Sequence, residues 1–149
     1  MTNLVTRRLL VDLQAPLPRH WNGGDAFRTA LFNALSMSFP AGEQFFIDSV
    51  KKGLAALPES ARERFEAEAR GFIGQEATHR RIHQLFNAHL SHQGLVNHWE
   101  PRILRRVKLL ERLAHDEPRT LLAATAAIEH LTALLSEYLL SHPQALEGA

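Results

Sequence analysis

A chain of 149 residues has the length of one domain and can bury a core without disulfide help. Hydrophobic residues at 45% and charged residues at 22%, with 8 glycines and 7 prolines, exclude a disordered or low-complexity chain. Lys and Arg number 17 against 16 Asp and Glu, so a formal charge of +1 indicates no nucleic-acid partner, and the absence of cysteine excludes disulfides, thiolate metal sites and a cysteine nucleophile.

Residues 1–11 place Arg7 and Arg8 before a short apolar run and lack a signal-peptide cleavage pattern. No segment reaches the ~18 consecutive apolar residues of a membrane span, so the expectation is a cytoplasmic protein with no membrane partner. Residues 1–149 read as a single helical domain, in which 1–24 form an extended lead-in closed by a turn at Gly23-Gly24. Asp25 is placed to cap a short helix over 26–39, Pro40 to interrupt it, and a second helical stretch to follow over 41–57 before Pro58. From 59 to 92, Phe65, Ala69, Phe72, Ile73, Phe86 and Leu90 recur at three- and four-residue spacing, which predicts one long helix ended at Gly94. Pro101 opens a shorter helix with Ile103, Val107, Leu110 and Ala114 inward and Arg102, Arg105, Arg106, Lys108 and Arg112 outward. Asp116 is placed to cap the last helix, Pro118 fits its first turn, and it runs to about Leu140. Strand signals and solenoid repeats are absent, so the fold class is all-α.

Three of these helices carry acidic groups on their apolar faces. The stripe Phe46, Ile47, Val50, Leu54 and Leu57, extended back one turn, lands on Glu43. The stripe of the long helix runs from Phe72 and Ile73 through Glu76, His79 and His83 to Phe86 and Leu90. In the last helix Leu121, Leu122, Thr125 and Ile128 lead to Glu129 and on to Thr132, Leu135 and Leu139. Burying an ionised carboxylate costs several kcal/mol, so such groups neutralise, pair or bind metal. The spacing Glu76-x-x-His79 puts a carboxylate and an imidazole on adjacent turns, as in bundle proteins that hold paired iron or manganese ions. A lone E-x-x-H recurs by chance; Glu43 and Glu129 on two other helices give it weight. In such a site Glu43 binds one ion, Glu76 bridges, His79 supplies nitrogen and Glu129 binds the second ion. Oxygen and imidazole donors suit iron first, with manganese or zinc as alternatives. His83 reads as a core or orienting histidine, His130 as a surface residue, the basic run over 102–112 as a solvated face, and Trp21 and Trp99 as packing residues at loop edges. Glycine-rich phosphate loops, G-x-S-x-G and H-E-x-x-H are missing.

The segments WNGGD over 21–25, NALSMSFPAGEQFF over 33–46, FIGQEATHRRIH over 72–83 and AAIEHLTA over 126–133 together resemble the bacterial family of predicted metal-dependent hydrolases. The resemblance covers nearly the whole chain. It implies a ferritin-like bundle with a dinuclear carboxylate centre, and it puts Glu43, Glu76, His79 and Glu129 on the family's ligand positions. Members continue with a further helix bearing a tryptophan-histidine pair, clustered glutamates and another histidine, a segment that is not in these 149 residues. An incomplete bundle is therefore expected, truncated or completed by a second copy, and with it a homo-oligomer. Two chemistries on a small-molecule substrate follow. Di-iron or di-manganese oxidoreductase chemistry ranks first, and hydrolysis by a metal-activated water second. A third reading is a non-catalytic helical module whose glutamates are protonated or paired with arginines such as Arg80.

Overall fold

The Asp25 carboxylate accepts a hydrogen bond from the Arg28 backbone N–H at 2.8 Å and caps α1, Ala26–Ala55. The chain reaches this cap through Gly23 and Gly24 at φ of +60° and +77°, a left-handed conformation that favours glycine. The computed structural model describes residue 13, residues 15–115 and residues 117–146.

α1 is one helix of 30 residues, not the two that Pro40 predicts. A proline lacks the N–H that the carbonyl four residues earlier would accept, which ordinarily ends a helix. Here Asn87 of α2, Glu59–His92, supplies the missing donor: its Nδ2 donates to the Ser36 carbonyl at 3.0 Å. The neighbouring Met37 carbonyl accepts from Asn97 Nδ2 at 2.9 Å. With the carbonyl that Pro40 frees paired, the helix passes through the proline.

α2 ends where its sequence predicts. Leu95 N–H donates to the Leu90 carbonyl and Gly94 N–H to the Ser91 carbonyl, with Gly94 at φ +81°, a Schellman closure. α3 spans Trp99–Leu113 and α4 spans Pro118–Ser141, followed by a 3-10 turn at Pro143–Leu146. Asp116, the predicted cap of α4, lies outside the described residues; Glu117 does the capping, its carboxylate accepting from the Arg119 N–H at 3.2 Å. Among the described residues there is no strand, and no helix is long and apolar enough to cross a membrane.

α1 is the hub of this all-helical bundle, and α2, α3 and α4 each pack on it. Its buried row includes Met37, Ala41, Phe45, Phe46 and Ile47. Phe45 and Phe46 meet Leu121 of α4, with Val107, Leu110 and Ala114 of the predicted inner face of α3 closing over them. Pairings of Ser36 with Asn87 and of Ser49 with Thr125 show that α2 and α4 both run antiparallel to α1. The Ser49 and Thr125 hydroxyls lie 2.6 Å apart in the buried seam, and Gly53 leaves room there for Leu122, whose Cδ1 would lie only 2.5 Å from a Cβ at that position.

Three predicted core residues are exposed, Leu135 of α4 at 39% among them. Phe65, in the first turns of α2, is 41% exposed under the Arg64 guanidinium, and Ile128 of α4 is 42% exposed. The inner face of α4 runs instead through Leu121 and Thr125, and Ile128 sits one step off that row. Leu131, Leu134 and Tyr138 are also exposed, the surface that the expected self-association concerns.

Removing the donor that serves Pro40 should be costly. Asn87→Ala is expected to destabilise the protein by about 1–3 kcal/mol, the cost of an unsatisfied buried acceptor, measured by urea denaturation. Adding Pro40→Ala should recover most of that loss, because the helix then supplies its own N–H; a double-mutant cycle with no coupling would contradict this account.

Candidate metal centre

The trough between α2 and α4, floored by α1, holds the acidic side chains. Ser36, Pro40, Glu43 and Ile47 are spaced to fall on one face of α1, and Glu76, His83, Asn87 and Leu90 lie along the facing side of α2. Glu43 and Glu76 are buried at 4% and 2% exposure. His79 is much more open, its side chain 46% exposed at the rim, with Nδ1 3.4 Å from Glu76 Oε1. One donor atom from each of Glu43, Glu76 and His79 lies within 4.8 Å of the others. Donors on a single ion with bonds of about 2.1 Å lie up to ~4 Å apart, so a small side-chain movement gathers all three.

Glu129 faces the same cavity of about 380 Å³, along with Phe39, Phe46, Gln75 and His83. It is half-buried rather than buried and stands outside the three-donor group. The sequence thus predicts four converging residues, of which the structure gathers three closely and turns the fourth toward their cavity.

The electrostatics are those of a site short of positive charge. Burial, reinforced by the charge on Glu76, pushes the Glu43 carboxyl up to about 8, outweighing the opposing pull of His79 and Arg80. Burial likewise raises Glu129, again with Glu76 adding to the effect. The hydrogen bond to Glu76 raises His79. Arg80, the proposed internal partner in the non-catalytic reading, therefore does not neutralise Glu43. Most telling is Glu43 Oε2, a buried oxygen with no hydrogen-bond partner. A cation with oxygen and imidazole ligands fits this donor set and gives the orphaned oxygen a partner.

A second layer of contacts was not legible beforehand. The Ser36 hydroxyl donates to Asn87 Oδ1 at 2.8 Å, so His83 Nδ1–H donates to Ser36 Oγ at 2.9 Å. That leaves the unprotonated Nε2 of His83 facing Glu43 Oε1 at 3.7 Å. Burial pushes His83 down to about 4, with His79 adding to the shift, so the ring is neutral. The available signal was the spacing: Ser36 lies seven residues before Glu43, and Asn87 four after His83.

The family model described as predicted metal-dependent hydrolase matches residues 5–149. The chain belongs to this family. Its helical fold and its Glu43–Glu76–His79 group agree with a metal-dependent member of the predicted metal-dependent hydrolases. No curated protein and no solved structure matches the chain.

These shifts set the pH dependence of the metal-free protein. Glu43 is raised from 4.5 to about 8, so its contribution to stability is full below pH 4.5 and is lost as pH rises through 8. Glu129 and His79, also raised, act in the same direction. His83, lowered from 6.5 to about 4, contributes above pH 6.5 and loses that contribution as pH falls through 4. The two effects oppose one another between 4.5 and 6.5, and above 6.5 only the loss remains. Without metal, Tm is therefore expected to fall between pH 6.5 and 8, and Glu43→Gln to flatten the fall; an equal slope in the variant would contradict the assignment.

Proposed function

We propose that Glu43, Glu76 and His79 hold one divalent cation and that the protein is a hydrolase acting on an ester or amide of a small molecule. The observation that carries this reading is the orphaned Glu43 Oε2, buried beside a second buried carboxylate and an imidazole. Bound there, zinc, manganese or iron(II) supplies a Lewis acid that polarises a carbonyl and lowers the pKa of a water toward about 7.

The chain's own residues do the rest. Glu43 and Glu76 give the site its negative charge, and His79 at the rim completes the donor set. Ser36, itself committed to Asn87, fixes the tautomer and orientation of His83. That ring bears on Glu43 and restricts where its carboxylate can swing. Glu129, its pKa raised by burial and by the charge on Glu76, is open to the cavity and can exchange a proton with a reacting group there. Phe39, Phe46 and Ala133 line the cavity with apolar surface that limits access of water.

Dinuclear oxygen chemistry, the first-ranked expectation from sequence, draws on the same Glu129. Beyond the three-donor group, the described residues offer a second ion Glu129 and a share of Glu76, a thinner set than dioxygen-activating centres in bundles use. The three-donor group asks for one ion, and hydrolysis by a metal-activated water needs no second.

Elemental analysis after equilibration with Mn²⁺ or Zn²⁺ tests the proposal. About one ion per chain is expected, with protons released on binding near pH 7 because Glu43 must ionise. Glu76→Ala should abolish retention while leaving helical content intact, and the exposed Lys108→Ala should change nothing. Two ions per chain with oxygen-dependent turnover would replace this reading with the dinuclear one. Stoichiometric metal retained by the Glu76 variant would remove the site.

A further inference from the structure

We infer that the apolar cavity adjoining the acidic one is the binding compartment for a single unbranched alkyl or acyl chain. On the hydrolase reading above, this makes the substrate an ester or amide of a medium-length fatty acyl group. The cavity has a volume of about 300 Å³, and Trp21, Phe32, Phe86, Ile82, Leu135 and Leu139 form much of its wall. It shares Phe39, His83, Thr132 and Ser136 with the acidic cavity, so the two adjoin along these residues, with the Phe39 and His83 rings in contact at 4.7 Å.

Apart from His83 Nε2, at the boundary with the acidic cavity, the polar groups along this wall are already committed. Trp21 Nε1–H donates to Asn33 Oδ1 at 2.9 Å. Thr132 and Ser136 donate their hydroxyls to backbone carbonyls of α4 at 3.0 and 2.8 Å, and Ser36 donates to Asn87. A ligand entering the compartment therefore meets methyl groups and rings, and its affinity must come from apolar burial. The aromatic part of the wall is braced, with Trp21 edge-on to Phe86 at 5.6 Å and tilted against Phe32 at 6.1 Å.

Size narrows the class. The wall follows α1 from Phe32 to Phe39 and α4 from Thr132 to Leu139, roughly 10 Å of helix in each case. A volume of about 300 Å³ along that length has room for one extended chain, at the lower limit of small-molecule pockets, and suits it better than a compact cage. A chain laid along this wall ends at Phe39, His83, Thr132 and Ser136, the residues shared with the cavity of Glu43, Glu76 and His79.

Calorimetric titration of the metal-free full chain with 1-butanol, 1-hexanol, 1-octanol and 1-adamantanol tests this without any turnover. Affinity is expected to rise about fourfold per methylene from butanol to octanol, and adamantanol to bind at least tenfold more weakly than octanol. Leu139→Trp, which fills the channel from a partly exposed position, should weaken octanol at least tenfold without changing Mn²⁺ uptake. In a Trp99→Phe background Trp21 is the remaining tryptophan, and its emission should shift on octanol binding. Independence of chain length, equal binding of adamantanol, or an unresponsive Trp21 would overturn the compartment. Octanol binding that persists where Mn²⁺ uptake fails would support the compartment and count against the metal reading alone.

Discussion

Taking a carboxylate out of water costs several kcal/mol unless something inside the protein replaces the lost hydration. At Glu43 the replacement is missing: Oε1 faces only the unprotonated Nε2 of His83 at 3.7 Å, and Oε2 has no partner among the described residues. Glu76, almost equally buried a few ångströms away, makes ionisation harder still. A folded chain keeps two such groups together at a cost to its own stability, and that cost is offset once a cation joins them. The reading of the trough as a metal centre, the expected response to pH and the choice among chemistries all rest on this one electrostatic debt.

The same helix that carries Glu43 carries Pro40, and the two are physically connected. Asn87 pairs the carbonyl that Pro40 leaves free and also accepts the hydroxyl of Ser36, which in turn fixes the tautomer of His83 beside Glu43. A helix-breaking residue is thus accommodated by the side chain that orders the site. Stability and site geometry are not separable here, because one amide serves both. Further along the trough the polarity reverses, and the acidic cavity adjoins one lined by rings and methyl groups. That gradient from charge to hydrocarbon along a single groove is what gives the site a direction.

How much of this could be read from residues alone depended on whether the periodicity selected a face. In α1 and α2 it did: polar residues stand against apolar neighbours at helical spacing, and Glu43 and Glu76 lie on the buried faces that this spacing predicts, with His79 out at the rim. α4 is apolar nearly all round, with Leu121 and Leu122 on one side and Leu131, Leu134 and Tyr138 on another. Its periodicity therefore selects no face, which is why Ile128 was expected inside and why Glu129 proves half-buried. The continuous helix through Pro40 was illegible for a different reason. The rule that proline ends a helix assumes an unpaired carbonyl, and the donor that pairs it is 51 residues away in sequence. The apolar channel was equally hidden, since its wall is assembled from generic Phe, Leu and Ile of three helices.

The most direct test of the central claim is anomalous diffraction at the manganese edge from crystals of the full chain grown with Mn²⁺. The account predicts one strong peak within bonding distance of Glu43, Glu76 and His79, with Glu43 Oε2 among its ligands. Crystals that showed no peak in the trough, with Glu43 Oε2 still unpaired, would contradict it.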